Sequence, residues 1–154
     1  MKTIVVVSDT HANYSALEKL MPIINENDYF FHLGDYEKDV KLFSRDIKAE
    51  TCSVKGNCDG GGNDVLVDIE NVKILLTHGD RYDVKSSLYK LLLKAKQLGV
   101  SAVFYGHTHN PSIIKEDGIY LINPGCMTKF CEKTYCYAVV HNGSITVKIV
   151  ELKG

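Results

Sequence analysis

The chain opens on an apolar, β-branched run, Thr3 to Ser8, which stops at the polar segment Asp9 to Asn13. Unbroken apolar character over that length predicts a strand buried on both faces. Leu17, Leu20, Met21 and Ile24 follow at helical spacing, with Asn13 placed to cap the helix and Pro22 expected to kink or end it. The alternation then repeats. Tyr29 to Leu33 reads as a buried strand ended by Gly34-Asp35, and Val40, Phe43 and Ile47 mark a second helix. Thr51 to Lys55 is a third strand, ended by Gly56-Asn57. Strand and helix in turn predict a parallel α/β sheet.

Past the glycines Gly60 to Gly62 the pattern changes. Val65 to Glu70 and Lys73 to Thr77 form a hairpin about Asn71. Leu88, Leu91, Leu92, Ala95 and Leu98 give the clearest amphipathic helix, closed by Gly99. Ala102 to Tyr105 is a strand that ends in Gly106-His107. Two antiparallel hairpins complete the pattern, turning at Asp117-Gly118 and Asn142-Gly143. No repeat or linker divides the chain, so one α+β domain over residues 1–154, with more than one sheet, is expected.

Composition narrows the function classes. With 45% hydrophobic and 24% charged residues the chain reads as an ordinary globular protein, not a disordered one. A net charge of -1 and a pI near 6.6 leave no basic field for duplex nucleic acid, so any pull on a phosphate must be local. No apolar run approaches the roughly 20 residues of a membrane span, and no membrane partner is expected. The five cysteines, Cys52, Cys58, Cys126, Cys131 and Cys136, form no C-x-x-C pair. Without a leader-like start, they imply a cytoplasmic protein with reduced thiols. Buried packing explains Cys126, Cys131 and Cys136 better than a zinc site does.

The chemistry gathers at strand ends. The first strand ends in Asp9-Thr10-His11, the second in Gly34-Asp35 and the third in Gly56-Asn57-Cys58-Asp59. The later ends are Thr77-His78-Gly79 and Gly106-His107-Thr108-His109. One histidine after a strand is commonplace, and His32 and His141 are read as ordinary. Five strand ends that each supply His, Asp or Asn are not commonplace, because α/β proteins bind ligands beyond those ends. Asp9 and His11 stand two apart, as do His107 and His109, so in extended chain each pair would face one way. Imidazole, carboxylate and carboxamide without thiolate suit Mn²⁺, Fe²⁺, Ni²⁺ or Zn²⁺. Seven such groups exceed what one ion takes, which points to two ions sharing a carboxylate.

In this order the motifs Asp-x-His, Gly-Asp, Gly-Asn-x-Asp, His-Gly and Gly-His-x-His resemble the calcineurin-like metallophosphoesterase superfamily, specifically its small prokaryotic phosphodiesterase branch. The resemblance runs from Asp9 to Asn123-Pro124-Gly125. It implies two facing mixed β-sheets flanked by helices, with a dimetal site at the strand C-terminal ends. It further implies a first metal on Asp9, His11, Asp35 and His109, and a second on Asp35, Asn57, His78 and His107. Two divalent ions per chain are expected, Mn²⁺ first among them, together with a homodimer. Many relatives carry a histidine after the asparagine as the leaving-group acid. Here that position is Cys58, and a thiol, with a reference pKa of about 8.5, is a poorer donor, with Asp59 or His11 as substitutes. Asp59 could instead orient His11 from behind.

The expected reaction is hydrolysis of a small phosphodiester by a dimetal-bridging hydroxide, with both cations also orienting the phosphate. Two alternatives differ in class. A retromer subunit with the same fold acts chiefly as a scaffold, which would call for an exposed apolar patch away from the metals. A phosphomonoesterase would differ only in the outer pocket, for which Cys58, Arg81, Tyr82, Lys129 and Phe130 are candidates. The segment Lys129 to Tyr137, rich in aromatic residues and cysteine, is expected to cover the core or to form a subunit contact.

Overall fold

The computed structural model describes residues 1–35 and 45–152. Among these residues ten strands form two five-stranded mixed sheets. In the first, β1 (Lys2–Val7) pairs in parallel with β2 (Tyr29–His32), and β2 with β3 (Glu50–Ser53). On its other side β1 pairs antiparallel with β9 (Thr134–His141), which carries β10 (Ser144–Glu151) at the edge. In the second sheet β5 (Val72–Leu76), β6 (Ala102–Phe104) and β8 (Ile119–Asn123) run parallel. The antiparallel edges are β4 (Val65–Ile69) and β7 (Ser112–Glu116).

Side-chain alternation explains the layers. Ile4 and Val6 of β1 point into a core shared with Phe31, Ile74, Leu76, Phe104, Ile122 and Ala138, so this core lies between the sheets. Phe31 and Phe104 meet there edge to face, 6.3 Å between centroids. Val5 and Val7 point the other way, against Leu20 and Ile24 of helix α1 (Tyr14–Asn25). Leu75 and Val103 likewise pack on Leu91 and Ala95 of α2 (Tyr89–Leu98). Strands covered on both faces have no use for polar residues, hence the unbroken apolar runs.

Several expectations change. Helix α1 runs through Pro22 to Asn25, because burial of Leu17, Leu20 and Ile24 outweighs the one hydrogen bond that proline forfeits. The second expected helix, at Val40 and Phe43, lies outside the described residues, while Ile47 packs beside the Val5–Leu20 cluster. Cys126 and Cys131 are joined as a disulfide across a Cα separation of 6.6 Å, so the expectation of five reduced thiols fails for this pair. Cys136 is buried in the core, where burial pushes its thiol up to about 12 and keeps it a neutral packing group. The segment from residue 129 to 137 divides in two: Thr134, Tyr135 and Cys136 are buried, Lys129 and Phe130 exposed.

Candidate metal centre

The loops after β1, β2, β3, β5 and β6 bring the candidate residues to one end of the sandwich. Two groups of side chains each place one ligand atom apiece within 4.8 Å of one another. Asp9, His11, Asp35 and His109 make one group, Asp35, His78 and His107 the other, and Asp35 belongs to both. The Asn57 amide borders the second group. With its nitrogen inward it lies 3.1 and 3.3 Å from the Asp35 oxygens and 3.0 Å from His78 Nε2.

The backbone reaches this arrangement by a route the sequence did not show. Asp9, His11, Asp35, His107 and His109 all have positive φ, between 44° and 70°. The pairs Asp9/His11 and His107/His109 therefore converge from left-handed turns, not from extended chain. Each such non-glycine residue costs about 1 kcal/mol or more. Strain at five of seven candidate ligands is explained by a constellation that requires it.

Glycine makes the close approach possible. A Cβ on Gly106 would collide with the Ser8 hydroxyl and come within 2.8 Å of Asp9 Oδ2. Asp9 is fully buried, and its Oδ2 accepts from Ser8 Oγ at 2.7 Å and from the His107 N–H at 3.0 Å. Its Oδ1 has no hydrogen-bond partner among the described residues. Around that oxygen stand Nε2 of His109, His11 and His78 at 3.3, 3.8 and 4.0 Å. The Asp35 Oδ2 atom lies 3.5 Å from His11 Nε2 and 3.4 Å from His78 Nε2, while Oδ1 accepts from the Cys58 N–H at 2.9 Å.

His78 fixes its own tautomer. Its Nδ1–H donates to the Leu33 carbonyl at 2.8 Å, which leaves the Nε2 lone pair facing Asn57 and, at 3.2 Å, His107 Nδ1. A ring nitrogen anchored to a carbonyl with the other turned inward is the usual posture of a metal-ligating histidine.

The protonation pattern tells the same story. Burial opposes charge on Asp9, but His109, His11 and His78 outweigh it and hold the carboxyl far below the usual range. In Asp35 burial is likewise outweighed, by His78 and the Cys58 N–H. Asp9 in turn raises His11. His78 is raised despite its burial, because Asp35 and Asp9 lie beside it. Burial, and then the proximity of His78, lower His107. Two ionised carboxylates thus draw positive charge into the cluster, a demand that divalent cations satisfy. Ligand atoms each about 2.1 Å from one ion stand about 3.0–3.4 Å apart, so the Asp9–His109 and Asp35–His78 separations fit the group.

Cys58 is exposed, and burial of its sulfur together with Asp35 raises its thiol, which therefore stays protonated near neutrality. The Asp59 carboxylate accepts the Gly56 N–H at 3.0 Å, closing the turn Asn57–Asp59. The Tyr82 hydroxyl donates to Asp64, and burial with that carboxylate pushes it up to about 12.

His32, read as ordinary from the sequence, joins the two carboxylate loops. Its Nδ1 accepts the Gly34 N–H at 3.1 Å, so the proton is on Nε2, which donates to Thr10 Oγ1 at 3.0 Å. Complete burial lowers it to about 4, keeping the ring neutral. The available signal was its place three residues before Asp35.

The profile of the calcineurin-like phosphoesterase superfamily domain matches residues 1–144, and the chain belongs to that family of metal-dependent hydrolases. It is 28% identical over 158 residues to the probable metallophosphoesterase YsnB of Bacillus subtilis, spanning 98% of this chain and 92% of that one. A phosphodiesterase of Methanocaldococcus jannaschii is 27% identical over 148 residues, with 78% and 81% covered. The crystal structure of a conserved Streptococcus pneumoniae protein superposes with a TM-score of 0.81 at 28% identity, over 97% and 89% of the two chains. Vps29 of Entamoeba histolytica, complexed with Zn²⁺, shares the fold at 20% identity, with a TM-score of 0.74 over 97% and 98%. Membership implies divalent metal ions, for which the two groups supply candidate ligands. No helix among the described residues is long and apolar enough to cross a membrane.

Proposed function

We propose that this protein is a metal-dependent phosphodiesterase. Asp9, His11, Asp35 and His109 would hold one divalent cation, and Asp35, Asn57, His78 and His107 a second. The observation that carries the reading is the inward-facing set of lone pairs: Asp9 Oδ1 and His78 Nε2 are turned into the cluster while their partner atoms are hydrogen-bonded behind them. Bound cations of this kind supply Lewis acidity towards phosphate and an ionised water near neutral pH. Ser8 and the His107 N–H aim Asp9, Leu33 aims His78, and the Cys58 N–H aims Asp35. Asn57, with its amide turned so that Oδ1 faces inward, would add a neutral donor that leaves the site charge intact, and Mn²⁺ suits this set.

Two features support a diester over a monoester. The Methanocaldococcus relative is a phosphodiesterase, and among the described residues one lysine, Lys129, lines the cleft beside His11 and His109. One cation suits the monoanion of a diester better than the dianion of a monoester. With Cys58 as a protonated thiol, activated aryl esters are the substrates least in need of a proton donor.

Mn²⁺-loaded protein is expected to hydrolyse bis(p-nitrophenyl) phosphate faster than p-nitrophenyl phosphate. Chelation should abolish turnover, and Asn57→Ala or His78→Ala should reduce it severely. Undiminished turnover in Asp35→Ala rejects the site.

One observation favours an interaction role as a second reading. Leu88, Tyr89, Leu92, Ile114, Glu116 and Leu121 line a cleft of about 300 Å³ that shares no residue with the histidine cluster. Tyr89 there is 66% exposed. A protein that fills with metal yet turns over neither ester would favour that role.

A further inference from the structure

Beside the metal groups lies an open cleft of about 560 Å³, within the size range of small-ligand sites. His11 and His109 form its inner wall, with ring centroids 5.5 Å apart, and Ala12, Thr128, Lys129 and Phe130 form the remainder. Phe130 is 98% exposed. A lone exposed phenylalanine is unremarkable on a protein surface. This one stands at the wall of a cleft that two candidate ligands share.

Its loop is also held in place. The Met127 N–H donates to the Asp9 carbonyl at 3.3 Å, and Asn13 Nδ2 donates to the Met127 carbonyl at 2.8 Å. The Phe130 N–H donates to Thr128 Oγ1 at 3.2 Å, and the Cys126–Cys131 disulfide closes the loop. The backbone presenting the ring is therefore tied to the backbone of Asp9. Loop backbone already held in place loses little freedom when a ligand binds beside it.

From this geometry we infer that the cleft is a nucleobase subsite: the substrate is a phosphodiester carrying a nucleoside on its non-leaving arm, and the base stacks on Phe130. The inference rests on the phosphodiesterase reading and specifies its substrate class. An open aromatic face accepts any base, since every base has a π-face. Lys129 selects against a plain alkyl arm, which would partly desolvate the ammonium without giving it a partner, whereas ribose oxygens and base carbonyls accept from it.

Two diesters with the same leaving group test it: thymidine 5′-(p-nitrophenyl phosphate) and ethyl p-nitrophenyl phosphate, each with Mn²⁺-loaded full-length protein. The expected kcat/KM favours the thymidine ester by about tenfold or more. Removing an aromatic stacking partner costs about 5- to 150-fold in binding, so Phe130→Ala should lower that preference about tenfold, mainly through KM, and Phe130→Trp should restore it. A wild-type ratio near one, or a ratio indifferent to Phe130→Ala, overturns the subsite. Calorimetry separates the two claims, using adenosine 5′-monophosphate and ribose 5-phosphate on the metal-loaded protein. Tighter binding of the former, lost in Phe130→Ala, supports the subsite even if neither ester is hydrolysed, in which case only the phosphodiesterase reading falls. Equal affinity for both overturns the subsite.

Discussion

His32 offers the sharpest test of how the carboxylate loops are held. The perturbation is His32→Gln, whose amide nitrogen can still reach Thr10 but whose shape abandons the Gly34 N–H. The wild-type ring is completely buried and titrates at about 4, against 6.5 in an open chain. Between those values the unfolded chain binds a proton that the native one refuses, so stability rises with pH across the window. The His32 contribution is complete above pH 6.5 and is lost as pH falls through 4. At about 1.4 kcal/mol per pKa unit the full swing is about 3 kcal/mol. His11 and His78 are raised and act in the opposite sense, their contribution being present at low pH and lost as pH rises. Only the difference between wild type and variant isolates His32. Urea unfolding of chelator-treated protein at intervals from pH 4 to 7.5 gives that difference. It should shrink by about 3 kcal/mol towards the acid end. A difference that is flat with pH would show that His32 is charged in the native state or open to water, and the clamp between Thr10 and Gly34 would fail with it.

Three other substitutions probe different layers. Phe104→Ala empties a fully buried site between the sheets and should cost about 3–5 kcal/mol in denaturant unfolding; a loss below about 1 kcal/mol would contradict the shared core. Gly106→Ala puts a methyl group into Ser8 and Asp9, so calorimetric Mn²⁺ affinity should fall by tenfold or more, and unchanged affinity would mean the strand end has slack. Asn13→Ala removes the α1 cap, a 3.4 Å bond from the Ala16 N–H, and strips the Met127 carbonyl of its donor. Together these should lower stability by about 2 kcal/mol, and a melt identical to wild type would reject both roles.

Much of the architecture was legible because each strand faces two layers. Continuous apolar runs located β1, β2 and β6, and the turns at Asp117-Gly118 and Asn142-Gly143 have the positive φ that their residue types suggest. β9 begins at Thr134, which looks like loop until its pairing with Glu151 is known. The strand ends that carry the candidate ligands were found from spacing, but their left-handed backbone was not, because Asp9 or His107 at positive φ has no signature beyond a nearby glycine. The Cys126–Cys131 bridge was equally hidden: two cysteines five apart in a strand-rich tail look the same whether they are bonded or merely buried. Pro22 does not end α1 because its cost is local, whereas the burial that overrides it depends on contacts with β1 and β2.

The placement of β1 between β2 and β9 has a consequence for biosynthesis. The strand that delivers Asp9 gains its second neighbour only after residues 134–141 have left the ribosome. Until then nothing on that side covers its open edge, and the Met127 tether to Asp9 has no fixed base. Ion capture should therefore be a late event, following the emergence of β9, and a translation product truncated before residue 134 should be unable to retain a divalent ion however much is supplied.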